Sequence, residues 1–160
     1  MAGFTLIEDQ VLGSAAASIT FNDLGGYTKF RLTVYGIKGT SNGNILIRFN
    51  GDTGTNYAYQ QLTANATTFP GERNTGQTSL SHEYAVDTGS PFLLTVEVAK
   101  PLTTTPGRAT YQLASMQTSI MYEADAGQWT NTADLIASLS LSASAGNFAA
   151  NTRAVLEGAA

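Results

Sequence analysis

The sequence contains no cysteine, which excludes disulfide frameworks, thiolate metal sites and cysteine nucleophiles together. Charge is also scarce: Asp, Glu, Lys and Arg make up 12% of 160 residues, about half the share usual in a globular domain. Eight basic residues face twelve acidic ones, for a net charge of −4. No basic stripe is present to neutralise phosphates, so nucleic acid is not an expected ligand. No stretch approaches the roughly 18 apolar residues needed to cross a bilayer. The start, MAGFTLIEDQ, has no basic region followed by an apolar run, and an aqueous compartment is expected, with no membrane partner. No dozen residues keep the 3.6-residue apolar period of an amphipathic helix.

Thr, Ser, Asn, Gly and Ala stand where charge is missing. Neutral polar surface costs less to desolvate than ions do, so such a chain can press wide surfaces against neighbours. Strand signals recur along its whole length. Phe30, Leu32 and Val34 alternate with Arg31, Thr33 and Tyr35 in a strand expected over 30–38. Ile45, Ile47 and Phe49 alternate with Leu46 and Arg48. The turn formers between them, Gly39 to Asn44, predict a hairpin. Further strands are expected at 4–12, 18–21, 57–63, 80–86, 92–99, 109–122, 135–143 and 152–157. In 135–143 the inward set is Leu135, Ala137, Leu139 and Leu141. In 109–122 the apolar parity changes, which predicts a bulge or turn near Ser115. Eight to ten short strands in one domain, 1–160, point to an all-β fold: an antiparallel two-sheet sandwich, jelly-roll-like. Segments 64–78 and 100–107 are read as long loops, where binding often occurs.

Chemistry is hard to find. The single histidine, His82, lies on an expected strand and is read as a surface or interface residue. No Gly-x-Ser-x-Gly elbow accompanies it. Asp52, Glu72, Asp87 and Asp125 could supply a glycosidase carboxylate pair, but nothing selects two of them. In Asn50-Gly51-Asp52-Thr53-Gly54-Thr55-Asn56 the alternating oxygen side chains suggest a calcium loop. Only one is a carboxylate and the closing Glu is missing, so a rigid turn is expected instead. Tyr57, Tyr59, Tyr84 and Trp129 could form a sugar-binding platform, though most should be core or sheet-face residues. No catalytic residue, cofactor or metal is therefore expected, and metal removal should leave the fold intact.

The segments Ser18 to Leu24, Tyr27 to Leu32, Ile47 to Tyr57, Leu139 to Leu141 and Ala145 to Arg153 resemble a family of small structural proteins of tailed bacteriophages. Residues 64–131 carry no such likeness, and the ending Leu156-Glu157-Gly158-Ala159-Ala160 departs from that family's aromatic, glycine-rich last strand. The resemblance implies a virion protein assembled in the host cytoplasm and having no catalytic residues. A capsid decoration (cement) protein that stabilises the head surface is favoured, because the chain has neither heptads nor repeats to build a fibre. The alternative is a tail fibre or baseplate module that contacts host surface carbohydrate. Expected partners are the chain itself, as a homotrimer, and the major capsid protein or another virion protein. Phe69, Pro70, Glu72 and Arg73 are the candidate contact residues: an apolar anchor with a charged rim. The small end residues 1–3 and 158–160 are expected to lie against another chain.

Overall fold

A computed structural model of the chain describes residues 3–65, 70–82, 85–100, 103–116 and 120–160. Among them are twelve strands and no helix: β1 (Thr5–Val11), β2 (Ser18–Phe21), β3 (Lys29–Ile37), β4 (Ile45–Phe49), β5 (Tyr57–Asn65), β6 (Gly71–Gln77), β7 (Leu80–Ser81), β8 (Pro91–Ala99), β9 (Gly107–Met116), β10 (Ile120–Trp129), β11 (Leu139–Ala143) and β12 (Arg153–Ala159). Eight of them form one antiparallel sheet in the order β1-β12-β3-β8-β9-β10-β5-β6, and four form the other, β2-β11-β4-β7. Without the pairs β5–β6 and β9–β10 the sheets reduce to β1-β12-β3-β8 and β2-β11-β4-β7. Successive strands then alternate between sheets except at β4–β7, as in two interlocked Greek keys, so the frame is jelly-roll-like. The four remaining strands widen one sheet only.

Period-two alternation decides which side chains enter. Phe30, Leu32 and Val34 of β3, Ile45, Ile47 and Phe49 of β4, Leu94 and Val96 of β8, and Leu139 and Leu141 of β11 are all buried between the sheets. Each such side chain contributes roughly 1.5–3 kcal/mol through burial. The inward assignments for β3 and β4 are therefore as expected from the sequence.

The predicted hairpin between these two strands does not form. β3 pairs with β12 and β8 in the large sheet, while β4 pairs with β11 and β7 in the small one. The connection crosses the sandwich because Lys38, fully buried, ties it down: Nζ donates to the carbonyls of Thr40 (3.1 Å), Ser41 (2.7 Å) and Ala145 (2.6 Å). Turn residues alone could not distinguish a hairpin from such a crossing. Four other expectations shift. The single strand expected over 109–122 is two, β9 and β10, paired from Met116 and Ile120 onward, so that of the bulge or turn expected near Ser115 it is the reversal of the chain that is found. The supposed loop 64–78 contains β6, which pairs with β5. Strand 80–86 shrinks to Leu80–Ser81 plus an isolated bridge from Val86 to Gly43.

Finally, 135–143 is a strand only from Leu139, and Ile136 is buried while Ala137 is exposed. Asn50 explains this: its Nδ2 donates to the Leu135 carbonyl, and its Oδ1 accepts from the amides of Ala137 and Ser138. These bonds draw the segment out of the sheet and onto the turn. At the C-terminus no second chain is needed to cover Gly158 and Ala159, which are buried by this chain itself. A Cβ on Gly158 would meet Ile7 Cδ1 and the Tyr27 ring at 2.6 Å. Residues 1 and 2 lie outside the described residues.

Candidate functional site

Two features distinguish the molecule. The first is a polar cluster in the interior. Glu123 and Asp125, two apart on β10, point to the same inner face, and His82 enters from the end of β7 in the opposite sheet. All three side chains are shut off from solvent. His82 Nδ1 stands 2.8 Å from Asp125 Oδ2 and 3.3 Å from Glu123 Oε2. These approaches lie off the line of the ring N–H, so both ring nitrogens of His82 and both carboxylate oxygens of Asp125 lack a hydrogen-bond partner of normal geometry.

The peptide before His82 is held firmly. The Ser81 carbonyl accepts from Gln61 Nε2 (2.9 Å) and Tyr111 Oη (3.1 Å), and the Tyr111 ring meets the imidazole edge-on at 5.0 Å. Burial pushes the His82 pKa down, but Asp125 and Glu123 outweigh it and the net shift is upward. Burial pushes Asp125 up despite His82 beside it. Tyr111 is raised as well, by burial and by Asp125. Burial is the largest cause at Asp125 and Tyr111, whereas the neighbouring acids are what raise His82.

His82 is therefore an interior residue and not the surface or interface residue expected of it. Asp125 meets Glu123 instead of the other acids considered, and its enclosure leaves no path for a polysaccharide to reach the pair. Asp52 is committed elsewhere. Burial pushes its pKa up, but hydrogen bonds from Trp129 Nε1 (2.7 Å), Asn56 Nδ2 (2.9 Å) and the Gly54 amide (2.8 Å) outweigh this and lower it. With Asn50 at φ 53° and Gly51 at φ 63°, the segment is the rigid turn expected, with the side-chain oxygens of Asn50 and Asp52 engaged internally. Tyr57 and Trp129 are core residues stacked around Phe49, and Tyr59 is half-buried, so they form no sugar platform. Tyr84 lies outside the described residues.

The second feature is the outer face of the eight-stranded sheet, which is zoned along the strands. At one end Tyr35, Ile37, Leu93, Met116, Ile120 and Tyr122 are exposed, Ile120 to 70% and Tyr35 to 64%. Register places them side by side: Tyr35 lies opposite Leu93, Leu93 opposite Ala114, and Ala114 opposite Tyr122. Across β3, β8, β9 and β10 the middle row is neutral, with Thr33, Thr95, Gln112 and Ala124 in succession, whereas toward the β1–β12 edge Arg153, opposite Tyr35, pairs with Asp9. The far end carries Arg31, bonded to Glu97 at 3.1 Å, and a groove lined by Gln60, Arg73, Arg108 and Gln128.

The predicted contact residues divide across this arrangement. Pro70, Glu72 and Arg73 are exposed. Arg73 opposes Gln60 and joins the charged end of the outer face, whereas Glu72 opposes Gln61 and has the opposite parity on the edge strand β6. Phe69 lies outside the described residues. That edge is blunted by charge and by a register shift near Gly76, whose φ is 64°. Compared with family models and with curated proteins, the chain matches none of either.

Proposed function

We propose that the chain is a structural protein of a tailed-bacteriophage virion, a decoration (cement) subunit that assembles as a homotrimer on the major capsid protein and stabilises the head. The observation that carries this is the zoned outer face. A row of exposed apolar side chains borders a neutral field across β3, β8, β9 and β10, and charge lies at the far end of these strands and toward the β1–β12 edge, where Arg153 beside Tyr35 is paired with Asp9. This is the composition of a surface that can be covered without stranding ions, with an apolar anchor and a polar rim. Support also comes from the phage-like segments at both ends of the sequence and from the jelly-roll-like frame, an architecture that capsid proteins use among others. No catalysis is proposed: the acids that meet are enclosed, and Asp52 is bound into its turn.

Purified particles give the test. A decoration protein should be present in copies on the order of hundreds per particle, repeating the head symmetry. Copies in the tens or fewer would place it in the tail. Particles stripped of the protein should rebind the wild type and fail to rebind a Tyr35→Arg, Leu93→Arg variant. Unchanged rebinding would overturn the choice of face.

A further inference from the structure

We propose that His82, Glu123 and Asp125 bind one first-row divalent cation of the zinc type, which clamps the two sheets together. The only oxygen-rich spacing that suggests a metal in the sequence is the turn from Asn50 to Asn56. The cluster is elsewhere and is built from both sheets.

Charge makes the first argument. A divalent cation and a retained proton are the alternative ways to keep an enclosed imidazole and two carboxyl groups free of uncompensated charge, which such a medium penalises heavily. Geometry makes the second. The three ligand atoms lie within 4.8 Å of one another, with separations of 2.8 and 3.3 Å at His82 Nδ1. Ligands at about 2.0–2.2 Å from a tetrahedral ion are separated by about 3.4 Å, so modest adjustment seats the ion. The third argument is that the nitrogen and oxygen atoms a metal would take are those without hydrogen bonds: Nδ1 of His82 and the carboxylate oxygens of Asp125.

One nitrogen and two carboxylates suit zinc and its neighbours; calcium takes six to eight oxygens. The Gln61 and Tyr111 bonds to the Ser81 carbonyl, and Tyr111 against the ring, would fix the imidazole as outer-shell groups fix a metal-ligating histidine. The ion would stand where the inward side chains of β10 and β5 are polar and apolar adhesion between the sheets is weakest.

The test uses the full chain without a histidine tag. Elemental analysis after dialysis is expected to find about one zinc-type ion per chain, or apoprotein that takes up one Zn²⁺. Co²⁺ substituted at the site should give visible absorption of a four- or five-coordinate ion, displaced by added Zn²⁺. Chelation should lower Tm by roughly 5–10 °C, reversed by Zn²⁺. His82→Gln and Asp125→Asn should each weaken Zn²⁺ binding by more than about tenfold and remove the chelator response. Wild-type protein that contains no metal, shows no Co²⁺ spectrum and has the same Tm with chelator and with Zn²⁺ would overturn the proposal, leaving a shared proton to balance the charge. This wild-type result decides the question even if both variants fail to fold. Undiminished Zn²⁺ binding by folded variants would overturn it too.

Discussion

The eight jelly-roll strands and the four added ones solve the same problem, an enclosed sheet face, in different ways. Between β3, β12 and β8 on one side and β2, β11 and β4 on the other, the interior is Phe21, Phe30, Leu32, Val34, Ile45, Ile47, Leu141 and Leu156. On the added strands β5 and β10 the apolar Tyr57, Met121 and Trp129 flank a polar stretch of Gln61, Thr63, Glu123 and Asp125. The first interior needs no partner beyond good packing. The second is stable only if each polar group is answered, which ties its stability to specific geometry and to charge balance. A jelly-roll frame can therefore carry an interior that it does not itself require, so that frame and added function are separable in one fold.

Substitutions can break or sharpen this contrast. The largest expected effect is at the junction, where Phe49 stacks on Tyr57 and Trp129. Phe49→Ala should cost about 3–5 kcal/mol in denaturant unfolding, and a loss below about 1 kcal/mol would contradict its burial. Within the polar interior, Gln61→Leu and Tyr111→Phe should each cost about 1 kcal/mol, because the Ser81 carbonyl keeps its other donor. The double variant should cost about 1–3 kcal/mol beyond their sum as that carbonyl loses both, so a double-mutant cycle with strict additivity would show that the bonds act separately. In the apolar interior, Gly158→Ala should cost about 1–3 kcal/mol by overpacking against Tyr27 and Ile7. A neutral result in thermal unfolding would mean that those side chains move aside.

The smallest effect lies at the rim, where Arg153 hydrogen-bonds Asp9 and holds its pKa below the usual value. A carboxylate depressed in the folded state adds stability above its unfolded pKa of about 3.9, and this is lost as pH falls through the folded value. Asp9→Asn should therefore lower Tm slightly at neutral pH and not at all at the acid end, as paired melts across that range would show.

Alternation made the jelly-roll strands legible: Phe30, Leu32 and Val34, then Ile45, Ile47 and Phe49, face the core as the sequence requires. Pairing was less legible, since the buried Lys38 that ties down the crossing looks like any polar residue at a strand end until its carbonyl partners are placed. The interior cluster escaped for a different reason. The strand predicted to end at Tyr122 continues to Trp129, so Glu123 and Asp125 fell outside it. The alternation Met121, Glu123, Asp125 against Tyr122, Ala124, Ala126 was a signal, but inward acids contradict ordinary expectation. Their partner, His82, is 41 residues from Glu123 in the chain, and no spacing rule links a residue at the end of one sheet's edge strand to the middle of the other sheet.

The proposed docking face is the feature both regions build jointly, with Tyr35 and Leu93 from the jelly roll and Met116 and Ile120 from the added strands. Its most direct measurement is the mass of the full chain in solution by light scattering, compared with a Met116→Lys, Ile120→Lys variant that leaves the interior untouched. A concentration-dependent trimer for the wild type, and a monomer of unchanged Tm for the variant, is the expected result. A wild type that stays monomeric at every concentration, or a variant that assembles equally well, would contradict it.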